Sequence, residues 1–233
     1  TNEAQAFFLD TVQKYRREIS ELEYMFKQVF TSMRAVGSFD GDVNLRRLQD
    51  AYLSSITMEE MKVFQYYQKR KISVDLMILR DVSGSTYLFE REYAEAIIMI
   101  LAAVNGFSGI RTLEIDFGGE ARLNKSFSQP LETASIGPQS GGGTSILPAL
   151  AVLRKQKLKS RRRLLFILSD GEINDLKTAE GELDELAKND GVEVFRIALG
   201  ELANHGYEYV EIRNLHKVIA KKIIERSGGD DEN

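Results

Sequence analysis

The sequence predicts an α/β fold: an open, doubly wound, mostly parallel sheet, with a helical segment in front of it. Three observations carry that expectation. From residue 71 onward apolar runs alternate with amphipathic stretches, the order that builds a sheet with helices on its faces. Three of those runs, 72–80 (ISVDLMILR), 163–169 (RLLFILS) and 192–199 (VEVFRIAL), are rich in Ile, Val, Leu and Phe, as strands covered on both faces require. The first 70 residues instead carry a helical period. The expected organisation is a helical lead-in or cap over 1–70, the sheet domain over 71–227 and a disordered tail over 228–233.

In chain order, Phe8, Val12, Tyr15, Ile19, Leu22, Phe26, Val29 and Met33 recur at alternating steps of four and three. That spacing lines one stripe of a single long helix, expected to stop near Gly37. No clean e/g charge pattern accompanies the stripe, so it is read as packing on its own domain, with a coiled-coil seam as the alternative. Two shorter helices are expected at Leu45–Leu53 and Met58–Gln68, the second opened by a capping box of Thr57 and Glu60. Asp40, Asp42 and Asn44 imitate the start of a calcium loop. Leu45 and Ala51 stand where such a loop needs Gly and Glu, so a helix-opening turn is expected there.

Beyond the first sheet strand, helices are expected at about 88–105, 146–158 and 178–189. In residues 111–117 (RTLEIDF), Leu113, Ile115 and Phe117 alternate with Glu114 and Asp116, which predicts a strand with a wetter second face. After Gly118 and Gly119 a hairpin partner near 121–127 is expected at one edge of the sheet. A short strand near 207–212 and a helix from about Asn214 to Arg226 complete the order, and the tail SGGDDEN is expected to fray.

Composition excludes several function classes. The chain has 233 residues, 43% hydrophobic and 28% charged, enough to bury a core. Its formal charge of −4 provides no global basic field to draw nucleic acid. With no cysteine and only His205 and His216, there is no disulfide framework, cysteine nucleophile, thiolate metal site or imidazole-rich centre. The apolar run 97–104 (IIMILAAV) falls far short of the ~20 residues that cross a bilayer. The N-terminus TNEAQAFFLD lacks an initiator Met and any signal-peptide pattern, and is read as a processed or excised end. Residues 154–163 (RKQKLKSRRR) are strongly basic but carry no aromatics for base stacking, so a solvated helix end is expected, with docking to an acidic partner or RNA second.

The chemistry gathers at three segments. DVSGST (81–86) follows the first apolar strand and places Asp81, Ser83 and Ser85 in the crevice at its carboxyl end, where open α/β sheets keep their ligands. GGGTS (141–145) combines glycines that permit positive φ with Thr144, expected to head a helix. SDGE (169–172) puts Asp170 after another apolar strand. In a doubly wound sheet these loops converge on one rim. Asp81, Ser83, Ser85, Thr144 and Asp170 then form an all-oxygen set of three hydroxyls and two carboxylates, suited to a hard divalent cation, Mg²⁺ first and Mn²⁺ second. Each segment taken singly also reads as an ordinary capped turn.

This constellation resembles the metal-ion-dependent adhesion site (MIDAS) of von Willebrand factor A (VWA) domains, D-x-S-x-S followed by Thr and then Asp, over about residues 71–227. The resemblance implies that Ser83, Ser85 and Thr144 contact the metal directly and that Asp81 and Asp170 act through water. Mg²⁺ is the expected ion, with Mn²⁺ or Ca²⁺ as substitutes. Neutral ligands leave the cation's field open to a final anionic ligand, an Asp or Glu of a protein partner. The helical lead-in and DLMILRDVSGST are most similar to the intracellular branch associated with MoxR-type AAA+ ATPases, including NorD- and CobT-like proteins. That implies a cytoplasmic adaptor, not an enzyme, assisting activation of or metal insertion into a client.

Two alternatives stand beside it. One is an extracellular or surface adhesion domain of the same fold. The other, more distant, is a haloacid-dehalogenase-like phosphatase, whose DxDxT start would need an acid where Ser83 stands. No P-loop Lys and no GxGxxG follow the first strand, and neither histidine sits at a matching strand end to serve as a base. The site is expected on a rim and not in the core, so that Asp81→Ala should abolish metal-dependent partner binding while leaving the fold intact.

Overall fold

The computed structural model describes residues 2–38, 42–43, 64–71, 73–199 and 206–227. Two compact units emerge, one of Thr1–Val29 with Ser73–Asn233, the other of Phe30–Ile72.

In the larger unit, strands β4 (Val74–Asp81), β5 (Ile110–Phe117), β6 (Ala121–Lys125), β7 (Arg162–Leu168), β8 (Val192–Ala198) and β9 (Glu208–Tyr209) form one sheet in the order β6-β5-β4-β7-β8-β9. All neighbours pair parallel except the β5–β6 hairpin at the edge. The expected α/β architecture is present. β4 lies between β5 and β7, so the chain leaves it first toward one side of the sheet and later toward the other. The carboxyl end of β4 is therefore the topological switch point, and that is where Asp81 sits.

Helices flank the sheet. The helices α3 (Glu90–Val104), α4 (Leu147–Arg154), α5 (Leu176–Asp190) and α6 (Leu215–Ser227) match the expected stretches, with α3 preceded by a 3₁₀ turn over Gly84–Phe89. One face buries Met77, Leu79, Leu113, Ile115, Phe117, Leu165 and Ile167 beneath α4 and α5. The pleat turns Leu76 and Ile78 to the other face, and α3, apolar nearly all round, packs against β4. Each such large side chain contributes roughly 1.5–3 kcal/mol on burial, which makes this core the main source of stability.

The amino-terminal stripe packs within this unit. Helices α1 (Asn2–Lys14) and α2 (Arg16–Val29) meet at Tyr15, where Tyr15 N donates to Thr11 O and Ile19 N to Tyr15 O, so helical bonding carries across the joint. Tyr15, Ile19, Leu22 and Phe26 are buried, with α2 against α3 and α6. Glu95 on α3, only 1% exposed, accepts from Lys14 Nζ (2.9 Å), Tyr15 Oη (2.7 Å) and Arg91 Nε (2.9 Å), which fastens α1 and α2 to the sheet unit.

Two expectations for residues 1–70 are corrected. The long helix ends at Val29, and Thr31–Ser38 form strand β1, so Met33 lies on a strand. Phe64–Gln68, expected as the end of a helix, belong to strand β3 (Phe64–Lys71), which pairs antiparallel with β1 from Thr31↔Lys71 to Ser38↔Phe64. With β2 (Asp42–Val43) they make a three-stranded sheet in the order β1-β3-β2. Thr31, Val36, Phe64, Tyr66 and Tyr67 are strand-favouring, and pairing between distant segments outweighs the local helical period. The expected helix at 45–53, the Thr57–Glu60 capping box and the fraying tail lie outside the described residues.

The predicted wetter face of residues 111–117 is also corrected. Glu114 and Asp116 are buried at 0% and 2% exposure, and Arg80, 1% exposed, forks onto Asp116 at 2.5 and 2.7 Å while donating to Gly137 O at 2.7 Å. Burial and the neighbouring Asp116 charge push the Glu114 carboxyl well above the ordinary range.

Candidate metal site

Asp81 ends β4, and both of its oxygens are engaged. Oδ1 accepts from Ser83 N at 2.8 Å, an Asx turn that folds the chain back at the strand end, and Oδ2 accepts from Ser169 Oγ at 2.6 Å. The next residues enter the 3₁₀ turn. Thr86 points inward, 1% exposed, with its hydroxyl donating to Ser83 O at 2.9 Å. Ser83 is buried and Ser85 is exposed, and their Oγ atoms lie 3.0 Å apart.

The glycine loop is stitched to this segment by backbone. Gly141 N donates to Val82 O at 2.7 Å and Gly84 N to Gly142 O at 3.3 Å, while Ser145 N reaches Gly118 O at 2.8 Å. Gly141 and Gly142 take φ of 139° and 83°, conformations that residues with a Cβ rarely adopt, so the expected need for glycine is met at both. Thr144 follows, 9% exposed, and its carbonyl accepts from Asn174 N at 2.9 Å, tying it to the loop after β7. Asp170 in that loop is 6% exposed, with Oδ1 accepting from Glu172 N at 3.0 Å. The three predicted loops thus converge on one rim of the sheet, joined pairwise by hydrogen bonds.

The electrostatics follow from this packing. Burial raises the Asp81 pKa, and the negative charge of Asp170 adds to it, while the hydrogen bonds from Ser169 and Ser83 partly offset both. A cation between the carboxylates would relieve that repulsion. The Ser83 and Ser85 hydroxyls, 3.0 Å apart and within hydrogen-bond distance of each other, are close enough to serve one ion together. Among the described residues no three His, Asp or Glu side chains gather, so an ion here would rest on hydroxyls as well as carboxylates.

Two expectations are amended and one residue is added. Thr144 does not head a helix: α4 begins at Leu147, and its first turn is capped from another loop by Asp175, which accepts from Ser145 Oγ (2.5 Å), Ile146 N (3.2 Å) and Leu147 N (3.2 Å). Asp81 stands at the strand-end rim, but its side chain is buried, 1% exposed with two buried donors depending on it, so it also belongs to the packing. Ser169, quoted within SDGE but given no role, supplies one of those donors; its signal was its place beside Asp170 at a strand end.

The remaining motifs lie elsewhere. His216 packs between helices with Nε2 2.9 Å from Glu21 Oε2, and His205 lies outside the described residues. In the basic run, Arg154 pairs with Glu182 and Glu185, Arg162 with Glu193, and Arg163 donates to Asp190 O. No helix among the described residues is long and apolar enough to cross a membrane.

No protein-family model and no curated protein matches the chain by sequence. Solved structures do match the fold. Proximal thread matrix protein 1 from the mussel byssus, with a zinc-occupied MIDAS motif, superposes with a TM-score of 0.54 at 14% identity, over 84% of this chain and 48% of that one. A second crystal form of the same protein gives 0.53 at 15% identity, over 67% and 46%. The manganese-loaded TRAP protein of Plasmodium vivax gives 0.51 at 19% identity, over 65% and 73%. The chain spans about half the length of the mussel structures. What these likenesses show is the fold, six mostly parallel strands flanked by helices, of the VWA-like type.

Proposed function

We propose that this chain is a divalent-metal-dependent protein-binding module whose rim acts as a carboxylate socket. Ser83, Ser85 and Thr144 hold the ion, Mg²⁺ by preference with Mn²⁺ or Ca²⁺ as substitutes, and Asp81 and Asp170 hold its waters. The observation that carries this reading is the joining of the three loops by hydrogen bonds, with the Ser83 and Ser85 hydroxyls 3.0 Å apart and the Asp81 carboxylate held by Ser83 N and Ser169 Oγ. The bound ion supplies a positive field at an open coordination position. This chain's hydroxyls leave that field largely unneutralised, so an Asp or Glu of a protein partner completes the shell. We read the role as binding and not catalysis; His216 is engaged elsewhere, with Nε2 2.9 Å from Glu21 Oε2.

Within this reading we place the module in the cytoplasm, as an adaptor to a MoxR-type AAA+ ATPase acting on a client enzyme. The support is the likeness of DLMILRDVSGST and the helices over residues 2–29 in front of the sheet, together with the absence of cysteine. A surface adhesion role is the second reading. It is favoured by the likeness in fold to a byssal thread matrix protein solved with a metal in its MIDAS motif.

Calorimetric titration of the full chain with Mg²⁺, Mn²⁺ and Ca²⁺ tests the site. Saturable binding that weakens at least tenfold in both Ser85→Ala and Thr144→Ala, with unchanged thermal unfolding of the metal-free proteins, is expected. Equal binding by the wild type and both variants overturns the assignment.

A further inference from the structure

The segment that carries Ser85 also carries the most exposed apolar side chains near the rim. Tyr87 is 66% exposed and Leu88 79% exposed, and they are consecutive in sequence. Single exposed apolar residues are ordinary, but an adjacent pair beside a candidate ligand-binding position is not covered by that explanation.

Local geometry decides where they stand. Residues Gly84–Phe89 form a 3₁₀ helix, in which side chains three apart eclipse one another. Thr86 is the inward-facing member, buried at 1% and hydrogen-bonded to Ser83 O, so the register of the turn is anchored. Leu88 therefore stands directly in line with Ser85, and Tyr87 in line with Gly84. Beside the start of this turn, where Gly84 N donates to Gly142 O, Gly119 and Gly141–Gly143 are exposed and offer only backbone. The surface around Ser85 thus carries exposed apolar side chains on the 3₁₀ turn and a side-chain-free wall on the neighbouring glycine loop.

We infer that the site selects an acidic residue flanked by a large apolar side chain. The partner's carboxylate occupies the open position on the metal while the neighbouring Leu, Ile, Met or aromatic residue covers Leu88 and Tyr87. This rests on the carboxylate-socket reading and adds a sequence preference to it. The bare glycine wall lets the partner's backbone approach closely, which suits an extended segment or a loop tip over a helix. Charge complementarity supplies the acid, and the two exposed apolar side chains supply its neighbour.

A phage-displayed library of linear peptides with a central Glu and randomised neighbours, selected on the full chain in millimolar Mg²⁺ and eluted with EDTA, tests this. The expected result is enrichment of large apolar residues next to the Glu. A synthetic peptide of the selected sequence should bind roughly tenfold more weakly to Leu88→Ser and to Tyr87→Ser than to the wild type, because each variant forfeits the burial of a large side chain. Both positions are solvent-exposed, and equal thermal unfolding of the variants verifies that they fold. EDTA-released peptides with no apolar preference, or unchanged affinity in both variants, overturn this inference and leave the carboxylate socket standing. Absence of any EDTA-released peptide, or the same peptides selected by Ser85→Ala, overturns the socket and this inference with it.

Discussion

The Ser169 hydroxyl donates to Oδ2 of Asp81 at 2.6 Å, joining the carboxyl ends of β4 and β7 beneath the rim. Its oxygen in turn accepts from Gly171 N at 3.0 Å, so one buried hydroxyl positions both the Asp81 carboxylate and the turn that follows Asp170. Ser169→Ala leaves these partners unsatisfied in a dry setting. We expect a loss of about 1–3 kcal/mol in urea unfolding of the metal-free protein. Mg²⁺ affinity measured by calorimetry should fall in parallel, and Ser169→Thr should restore both by returning the hydroxyl.

Asp175 caps α4 from outside the helix and holds Ser145, the residue after Thr144. Replacing it with Ala removes three hydrogen bonds from one carboxylate, and the expected cost is about 1–2 kcal/mol in chemical denaturation. Asp175 is not among the five metal-site residues. A fall in Mg²⁺ affinity in this variant would show that the cap sets the position of Thr144; unchanged affinity would confine its role to helix stability.

Gly142 sits at φ 83° with its carbonyl accepting from Gly84 N. A Cβ there meets Gly119 N at 3.7 Å, so space is adequate and the penalty is conformational. Gly142→Ala is expected to destabilise the protein by about 1–2 kcal/mol, read as a lowered Tm, because the left-handed region is unfavourable for alanine.

Glu95 makes the attachment of α1 and α2 sensitive to acid. Burial acts to raise its pKa, but hydrogen bonds from Lys14, Tyr15 and Arg91 outweigh it and hold the carboxyl below its ordinary 4.5. A carboxylate depressed in the folded state contributes stability above its unfolded pKa and loses that contribution as pH falls through the folded value. Stability should therefore decline below about pH 4.5, and Glu95→Gln should flatten this part of the pH profile while lowering stability at neutral pH. Parallel profiles for the two proteins would refute the assignment.

Much of this was legible in the residues. Strands buried on both faces are continuous apolar runs, and the alternation of Leu113, Ile115 and Phe117 announced the edge hairpin, because each signal is local and periodic. The five candidate site residues were legible because a doubly wound sheet brings the loops at its strand ends to one rim. The burial of Glu114 and Asp116 was not, since their partner Arg80 lies on another strand and its guanidinium also reaches the carbonyl of Gly137.

By itself the sequence determined the order of elements in the sheet domain, the helical stripe of residues 8–29 and the all-oxygen character of the candidate site, because these depend on residue type and short-range period. Only the tertiary structure decided that residues 31–38 and 64–71 pair as strands. It alone also decided that Asp81 is held by Ser169, that Asp175 caps α4, and that Leu88 stands in line with Ser85. Each of these depends on which groups a fold brings within about 3 Å of each other, or on which helical geometry a short turn adopts, and local propensity is blind to both.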